Sequence, residues 1–275
     1  MNPVLTLDHV SYSYHTPSGE TPALKDISFS VRPGSFTSIA GPSGCGKSTL
    51  LSLIAGLITP EKGCIRFYKS DAMPAAARIG YMLQHDTLLE WRTIYKNILL
   101  GLEVTHQCTE QKKRLAADMM HDYGLASFKN AHPSELSGGM RQRAALIRTL
   151  VLEPDILLLD EPFSALDYQT RLEVSDDIFR IIKEQEKTAL LVTHDISEAI
   201  AMGEQVIVLS SRPAGIKNVF AKQTVFARLI DGDLQTVHGD GVLGADVHIT
   251  LRGADGIARD GHGLDDAVGI SLQHR

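Results

Sequence analysis

Apolar and polar residues alternate near the start of the chain, with the two-residue period of half-buried β-strands. Turn-forming residues interrupt the alternation at Pro17-Ser18-Gly19 and at Pro33-Gly34. The pattern predicts strands on both sides of the first turn, and a further strand, Ile65-Arg66-Phe67-Tyr68, after the turn at Lys62-Gly63. The apolar positions of the first two strands are Leu5, Leu7 and Val10, followed by Ile27, Phe29 and Val31.

The middle of the chain has a different period, with apolar residues three and four positions apart from about Thr93 to Leu152. Short apolar runs then return and flank one more helical stretch. Strands that alternate with helices favour a mostly parallel sheet with helices on both faces, and the central helical block would be an insertion beside it. The predicted helices are Asn97 to Leu102, Gln111 to Tyr123, Met140 to Leu152 and Arg171 to Lys187, and the predicted strands are Ile156 to Leu159, Leu190 to Thr193 and Val206 to Leu209.

The overall composition is that of a folded protein and excludes several classes. Of the 275 residues, 43% are apolar and 22% are charged, which is enough for a sizeable core. The net charge of −6 provides no basic surface, so we expect no nucleic-acid partner. Because no apolar run has the length of a membrane span and the first residues do not resemble a signal peptide, we expect a cytoplasmic protein. Its three cysteines should be reduced thiols.

The composition changes abruptly after Phe220. From Ala221 to Arg275 there is no Pro, Glu, Cys, Met, Tyr or Trp, and Gly, Asp, Ala and His dominate. Short alternating pieces such as Val247 to Leu251 could form strands, but glycines interrupt them. We therefore predict one folded domain over residues 1–220 and an atypical segment over 221–275.

A glycine-rich loop joins the strand-like run Phe36 to Ala40 to a helix-like run that starts at Leu50. The glycines allow consecutive backbone N–H groups to converge on an anion, and the helix dipole adds positive potential there. A lysine in such a loop reaches terminal phosphates, and the hydroxyl that follows it can bind Mg²⁺. The loop therefore predicts a nucleoside triphosphate site. It reads Gly41-Pro42-Ser43-Gly44-Cys45-Gly46-Lys47-Ser48-Thr49.

Cys45 lies inside this loop, where the helix N-terminus and a nearby lysine could lower the pKa of its thiol. The alternative, which we favour, is that Cys45 is a small residue that fits the space.

The run from Ile156 to Leu159 is continuously apolar and ends in the carboxylates Asp160 and Glu161. A strand buried on both faces has this pattern, and its carboxyl end lies where ligands bind in open α/β sheets. Asp160 is placed to hold Mg²⁺ through water, and Glu161 is placed to polarise the attacking water. The alternative is a buried strand that meets an ordinary acidic turn.

Ser137, Gly138 and Gly139 precede the third predicted helix. Ser137 is a good N-cap, and the two glycines leave the first N–H groups of the helix uncovered. This helix start is therefore a candidate for a second anion site. The alternative is an ordinary capped helix.

Together with Arg141-Gln142-Arg143, this segment resembles the signature of ABC transporter ATP-binding subunits, and the resemblance covers about residues 4 to 219. It implies an α/β P-loop NTPase core with a mostly parallel sheet, an N-terminal antiparallel β subdomain and an inserted α-helical subdomain at about residues 87–152. The other matching residues, in the order of the family, are Tyr14, the phosphate loop, Gln84 of the Q-loop, Asp160-Glu161, Ser164-Ala165-Leu166-Asp167 of the D-loop and the switch residue His194.

Carried onto these positions, the resemblance implies that two copies of the chain pair head to tail. Each ATP, with Mg²⁺, would lie between the phosphate loop of one copy and the signature of the other. Ser137, Gly138 and Gly139 would then contact the ATP held by the partner copy. ATP would close the dimer, and hydrolysis would reopen it.

The resemblance also gives single residues a task. Tyr14 would stack on adenine, Gln84 would contact Mg²⁺ and the attacking water, and His194 would hold the γ-phosphate. Asp167 would belong to the nucleotide site. Packing is the alternative for Tyr14, and we expect Tyr12 to face the opposite side of its strand.

The segment His85 to Thr93, with Leu88-Leu89-Glu90-Trp91, is similar to the nitrate/sulfonate/taurine branch of import ATPases. Trp91 and the helical block would receive a transmembrane permease, and a solute-binding protein would act outside the membrane. The chain would then lie on the cytoplasmic face of the cell membrane. Ordinary core packing is the alternative for Trp91. Thiamine-precursor pyrimidines are transported by similar proteins and are a second possible cargo.

Two other functional classes compete with an importer ATPase. A soluble ABC ATPase acting on DNA or ribosomes usually has a long coiled-coil insertion or two ATPase halves, and neither occurs here. A P-loop kinase or GTPase is disfavoured by the signature and by His194.

The segment after Phe220 departs from the family, which usually continues with an acidic, proline-containing segment and a final amphipathic helix. It could be a divergent accessory segment, a disordered tail or the product of a reading-frame change. The missing residue types favour the reading-frame change, and we expect nucleotide binding to survive removal of the segment.

Overall fold

The computed structural model of the chain describes residues 2–17, 19–68, 73 and 76–221. Within these ranges the backbone forms nine strands and six α-helices. The strands are β1 (Leu5–Thr16), β2 (Gly19–Val31), β3 (Phe36–Ala40), β4 (Lys62–Phe67), β5 (Ile79–Met82), β6 (Ile156–Asp160), β7 (Thr188–Thr193), β8 (Gln205–Leu209) and β9 (Ile216–Ala221). The helices are α1 (Lys47–Ile54), α2 (Ile94–Val104), α3 (Glu110–Asp122), α4 (Gly138–Leu150), α5 (Tyr168–Glu184) and α6 (Ile196–Met202), with 3₁₀ turns at Ala126–Phe128 and Pro133–Glu135.

An antiparallel sheet of three strands forms the N-terminal part, in the order β2-β1-β4. The central strand β1 pairs antiparallel with both neighbours. Leu5, Leu7 and Val10 are buried, whereas the residues between them are more exposed, so one face of the sheet packs on the core. The N-terminal antiparallel β subdomain expected from the sequence is confirmed.

A second sheet of six strands has the order β5-β6-β7-β3-β8-β9. All its pairs are parallel except the last, in which β9 runs antiparallel to β8. Every residue of β3, β6 and β7 is buried. Parallel strands covered on both faces read as continuous apolar runs, which is why β6 and β7 could be recognised in the sequence.

Two apolar cores lie on opposite faces of this sheet, and successive residues of a strand belong to different cores. Leu157 and Leu159 contribute to the core that contains residues of α2, α3, α4 and α5. Ile156 and Leu158 contribute to the core that contains α1 and the antiparallel sheet. The two-residue period of a strand produces this division. The predicted mostly parallel sheet with helices on its faces is confirmed.

The parallel register brings three strand ends to one edge of the sheet. Ala40 at the end of β3 pairs with Thr193 at the end of β7, and Asp160 at the end of β6 pairs with Val192. The segments that follow these strands therefore start side by side at the carboxyl edge, where open α/β sheets bind ligands.

Three elements were not predicted from the sequence. Strand β5 has only four residues and includes Gly80, where an added Cβ would lie 2.6 Å from Cγ2 of Thr149. Helix α6 has seven residues, which is too short for a clear helical period. Strand β9 is an edge strand with mostly exposed side chains, so it lacks the apolar run that marks a buried strand.

The predicted compositional boundary at Phe220 falls one residue before the end of β9. The described residues all belong to one compact unit. The strands, the disorder and the reading-frame change that the sequence suggests from residue 222 onward lie outside the described residues. Among the helices of the described part, none combines the length and apolar character that crossing a bilayer requires.

We predict that a chain ending at Ala221 unfolds cooperatively and keeps its ATP affinity, because the described elements form their cores among themselves. A chain ending at Gly215 should lose at least about 2 kcal/mol of unfolding free energy, because β8 loses its pairing with β9 and the core loses its contacts with the Phe220 side chain. Urea unfolding and equilibrium ATP binding of the two chains measure this. Loss of ATP affinity in the chain ending at Ala221 would contradict the prediction.

Candidate nucleotide site

The glycine-rich loop connects β3 to α1, as the sequence predicts. Gly46 is the N-cap of α1 and has φ 122°, and no side chain caps the helix. An added Cβ at Gly46 would lie 3.0 Å from Cδ2 of Leu24 and 3.1 Å from the carbonyl oxygen of Ala23. Only glycine suits this conformation and this space. The first N–H groups of α1 are left without a side-chain partner, which is the arrangement that binds anions.

Lys47 is buried, and its ammonium group contacts its own loop. Its Nζ donates to the carbonyl oxygens of Gly41 at 2.9 Å and Pro42 at 3.0 Å, and lies 3.5 Å from Oε1 of Glu161. A buried cation needs such partners. The same ammonium group can turn to phosphate oxygens, because carbonyl acceptors are weaker partners than charged oxygens.

Ser48 and Asp160 join the loop to the end of β6. The Ser48 hydroxyl donates to Oδ1 of Asp160 at 2.9 Å, and the Tyr81 hydroxyl donates to Oδ2 at 3.1 Å. Burial raises the pKa of Asp160 above its ordinary value, although both hydrogen bonds act in the opposite direction. A hydroxyl and a carboxylate are the hard oxygen donors that Mg²⁺ prefers, so these residues fit the ion.

Glu161 and His194 follow β6 and β7. Nδ1 of His194 lies 2.9 Å from Oε2 of Glu161, and the other carboxylate oxygen faces Lys47. Glu161 has φ 45°, a left-handed conformation that is uncommon for a residue with a side chain. Such backbone conformations concentrate at functional sites. The structure thus brings three predicted residues together at the carboxyl edge of the sheet.

A cavity of about 280 Å³ opens at this edge. The sequence motifs predicted all of its lining residues except Arg212. The lining residues are Tyr14, Gly44, Gly46, Lys47, Ser48, Thr49, Glu161 and Arg212.

Tyr14 lies at the rim of the cavity, and its hydroxyl is 3.0 Å from Oγ1 of Thr49. The expectation that Tyr12 faces the opposite side of the strand is wrong. The rings of Tyr12 and Tyr14 are 5.1 Å apart at 89°, in edge contact. The contact places both rings on one side of the strand, beside an irregularity in the pairing between Tyr12 and Ser13. Tyr12 thereby supports the ring of Tyr14.

Arg212 lies in the turn after β8. Because β8 pairs with β3, this turn lies next to the glycine-rich loop. The turn is held by hydrogen bonds between the backbones of Ala214 and Ala23 and between Ser210 and Gly215. The guanidinium of Arg212 has no ion-pair partner within the described residues. A short motif could not indicate it, since its position depends on the order of strands.

The remaining predicted residues near the cavity have other partners. Nε2 of Gln84 donates to Oγ of Ser164 at 3.2 Å, in the segment after Glu161. Cys45 is buried, and this burial raises the pKa of its thiol, which agrees with a small packing residue and not with a reactive thiolate. Ser43 lies in the turn of the loop, between Pro42 and Gly44.

Ser137 caps α4, since its side chain accepts from the N–H of Met140 at 3.3 Å. The predicted N-cap is confirmed. An added Cβ at Gly138 would lie 2.8 Å from Cδ2 of Leu166, and one at Gly139 would lie 2.6 Å from Cγ2 of Val174. These neighbouring side chains leave little space for a Cβ at either position, which explains why both residues are glycines.

These three residues line a second cavity of about 490 Å³, together with Asp167. None of the four lines the cavity at Lys47 in the described part of the chain. Asp167 caps α5 by accepting from the N–H of Thr170, and this hydrogen bond lowers the pKa of Asp167. One chain thus carries two separate candidate anion sites.

Trp91 has 76% of its surface exposed. The alternative that it packs in the core is therefore wrong. Its ring is available to another molecule, on the helical side of the protein that contains α2.

The model of the ABC transporter family matches residues 24–164, just over half of the chain. The chain belongs to the ABC transporter family. It is an ATP-binding subunit of that family, and its fold is that of the ABC ATPases.

Relatives and solved structures agree with this assignment. A Bacillus subtilis protein named uncharacterized ABC transporter ATP-binding protein YtlC is 47% identical over 229 residues, 83% of this chain and 88% of the relative. A Pelagibacter ubique protein named taurine import ATP-binding protein TauB is 36% identical over 235 residues, 85% and 88% of the two chains. A dimeric, post-hydrolysis structure of the ATP-binding cassette MJ0796 with ADP and Pi has a TM-score of 0.66 and 29% identity, covering 79% of this chain and 98% of that one.

We predict that Asp160→Asn stabilises the nucleotide-free protein at neutral pH and that this gain disappears in acid. Burial holds the folded-state pKa of Asp160 above the unfolded value. The folded protein then binds more protons than the unfolded chain, so stability falls as the pH rises from the ordinary carboxyl pKa through the raised one. Urea unfolding of both proteins on either side of this window measures the difference.

Asp155→Asn is the matched control. Burial acts to raise the pKa of Asp155, but hydrogen bonds from Arg78 outweigh it and the net pKa is lowered. This variant should therefore lose stability at neutral pH, opposite in sign to Asp160→Asn. The account of Asp160 is wrong if Asp160→Asn destabilises the protein at neutral pH.

Proposed function

We propose that this chain is the ATP-hydrolysing subunit of an ABC importer that takes up a small solute of the nitrate, sulfonate or taurine type. The observation that carries the proposal is that Lys47, Ser48 and Glu161 line one cavity. Asp160 contacts Ser48, and His194 contacts Glu161. The proposed ATPase domain covers residues 1–220, with the helical subdomain at about residues 87–152. The end of β9 at Ala221 supports this boundary.

In the proposed binding mode, the triphosphate lies on the glycine-rich loop, from Gly41 to Thr49, at the N-terminus of α1. Lys47 exchanges the carbonyl oxygens of its own loop for phosphate oxygens. Tyr14 stacks on adenine at the rim, supported by its edge contact with Tyr12. Arg212 adds positive charge to the same cavity.

Ser48, Asp160 and Gln84 are the proposed ligands of Mg²⁺. When bound, the ion neutralises charge on the phosphate oxygens. The hydrogen bond between Ser48 and Asp160 supports a shared site for these two oxygens.

Glu161 is the proposed group that polarises the attacking water, and His194 the proposed group that holds the γ-phosphate. Glu161 lines the cavity, and Nδ1 of His194 lies 2.9 Å from its carboxylate. The Glu161 carboxylate has Lys47 on one side and His194 on the other, so contacts to both of its oxygens hold it in place.

Two copies of the chain are proposed to pair head to tail. Ser137, Gly138, Gly139 and Asp167 line a cavity separate from that of Lys47, so a single chain offers two half-sites. The similar cassette bound to ADP and Pi is dimeric. In the proposed dimer, each signature completes the nucleotide site of the other copy.

A transmembrane permease is the proposed second partner, with the chain on the cytoplasmic face of the membrane and a solute-binding protein supplying the cargo. The exposed Trp91, near the start of the helical subdomain, supports a docking surface there. The similarity to a taurine import protein supports a small sulfonate as cargo.

We predict that Glu161→Gln binds ATP but hydrolyses it at least about 100-fold more slowly, because the group that polarises water is lost. The variant should accumulate a dimer in ATP and magnesium, which size-exclusion chromatography detects. Glu186→Gln is the matched control, since Glu186 is also a glutamate with positive φ but is exposed and does not line the cavity. Hydrolysis by Glu161→Gln at the rate of the control would rule out the proposed role of Glu161.

We predict that two inactive variants restore hydrolysis when they are mixed. Lys47→Ala should lose ATP affinity by about 10- to 100-fold, through loss of charged hydrogen bonds. Ser137→Arg should block the signature cavity. A mixed dimer keeps one intact site, built from the unaltered loop of one copy and the unaltered signature of the other. With equal mixing, about half of the dimers are mixed and half of their sites work, so the activity should reach at most about a quarter of normal.

Differently tagged chains measure whether mixed dimers form. If they form and the mixture is as inactive as its parents, or if Ser137→Arg alone is fully active, the proposed head-to-tail arrangement is wrong.

A further inference from the structure

Tyr81 lies in β5, opposite Leu158 of the neighbouring strand and therefore close to Asp160 at the end of β6. Its hydroxyl donates to Oδ2 of Asp160 at 3.1 Å. The sequence motifs did not indicate this residue, because the contact depends on how two strands distant in the chain are paired.

Asp160 has one hydroxyl donor on each carboxylate oxygen. Ser48 donates to Oδ1 and Tyr81 donates to Oδ2. In the described part of the chain, these are the side chains that hydrogen-bond to this carboxylate. Asp160 is 7% exposed, so water has little access to it. The orientation of the carboxylate therefore depends on these two hydroxyl groups.

The two donors are not equivalent. Ser48 is itself a proposed ligand of Mg²⁺, at the start of α1. Tyr81 is not a proposed ligand, and its ring packs against the apolar core on the α1 side of the sheet. The ring is held by packing and the strand by pairing with β6, so the hydroxyl is presented to Asp160 from a rigid support.

We propose that Tyr81 is a positioning residue that orients the Asp160 carboxylate for Mg²⁺, an inference that rests on the magnesium site proposed above. Groups that hydrogen-bond to a metal ligand fix its orientation, and their loss typically weakens metal binding by about 10- to 100-fold. Without the Tyr81 hydroxyl, the carboxylate keeps only its bond to Ser48 and can rotate about its side-chain bonds.

The test compares wild type with Tyr81→Phe, which removes the hydroxyl and keeps the ring that packs on the core. AMP-PNP, an ATP analogue that is not hydrolysed, is titrated into each protein in EDTA and at increasing magnesium chloride. Calorimetry measures the binding constants and the magnesium concentration that gives half of the increase in affinity. Neither readout depends on activity.

Tyr123→Phe is the matched control. The Tyr123 hydroxyl also takes part in a side-chain hydrogen bond, in which it accepts from Nε2 of Gln185 at 3.3 Å. It lies at the end of α3 and not at the cavity. Thermal unfolding of both variants shows whether either substitution disturbs the fold.

We expect Tyr81→Phe to need about tenfold more magnesium than wild type for half of the increase in AMP-PNP affinity. Its AMP-PNP affinity in EDTA should stay within about twofold of wild type, as for a substitution that removes no nucleotide contact. Tyr123→Phe should match wild type in both measurements.

Two results overturn the inference alone. One is a magnesium requirement unchanged by Tyr81→Phe, and the other is an equal loss of affinity in EDTA and in magnesium, which indicates a general structural role. If AMP-PNP binding by wild type does not depend on magnesium, the proposed magnesium site is itself wrong, and the role of Tyr81 fails with it.

Discussion

The parallel register of β3, β6 and β7 is the constraint on which the candidate site depends. Each strand is fully buried, and their carboxyl ends stop at the same edge of the sheet. A shift of one residue would turn every side chain of a strand to the opposite face. Asp160 would then leave Ser48, and the 2.9 Å hydrogen bond that joins the glycine-rich loop to β6 would be lost. The apolar packing of the sheet therefore holds the polar site in register.

Lys47 and Glu161 carry opposite charges and partly neutralise each other in the site. Lys47 contacts the carbonyl oxygens of its own loop and faces Glu161, which in turn contacts His194. Buried charges require partners, so this network stabilises an otherwise costly cluster. On our account, a triphosphate exchanges these contacts for stronger ones, because it carries more negative charge than one carboxylate.

Much of the fold and of the site could be predicted because the signals are local. The apolar runs of β6 and β7 and the glycine-rich loop are continuous in the sequence, and Ser137 caps its helix within three residues. Short or exposed elements such as β5 and α6 lack a period long enough to recognise.

Contacts between distant segments could not be predicted from local patterns. The hydroxyl of Tyr81 reaches Asp160 only because β5 pairs with β6, and Arg212 reaches the cavity only because β8 lies next to β3. The orientation of Tyr12 was a different kind of failure. The sequence predicts the strand correctly, but residues two apart in a strand share a face, and the edge contact between Tyr12 and Tyr14 shows that they do so here.

The central claim is that one nucleotide is bound by residues of two chains. A crystal structure of the chain with magnesium and AMP-PNP measures this most directly. The account predicts a γ-phosphate that contacts Lys47 in one copy and Ser137 of the partner subunit. A nucleotide enclosed by a single copy, with both Ser-Gly-Gly turns facing solvent, would contradict it.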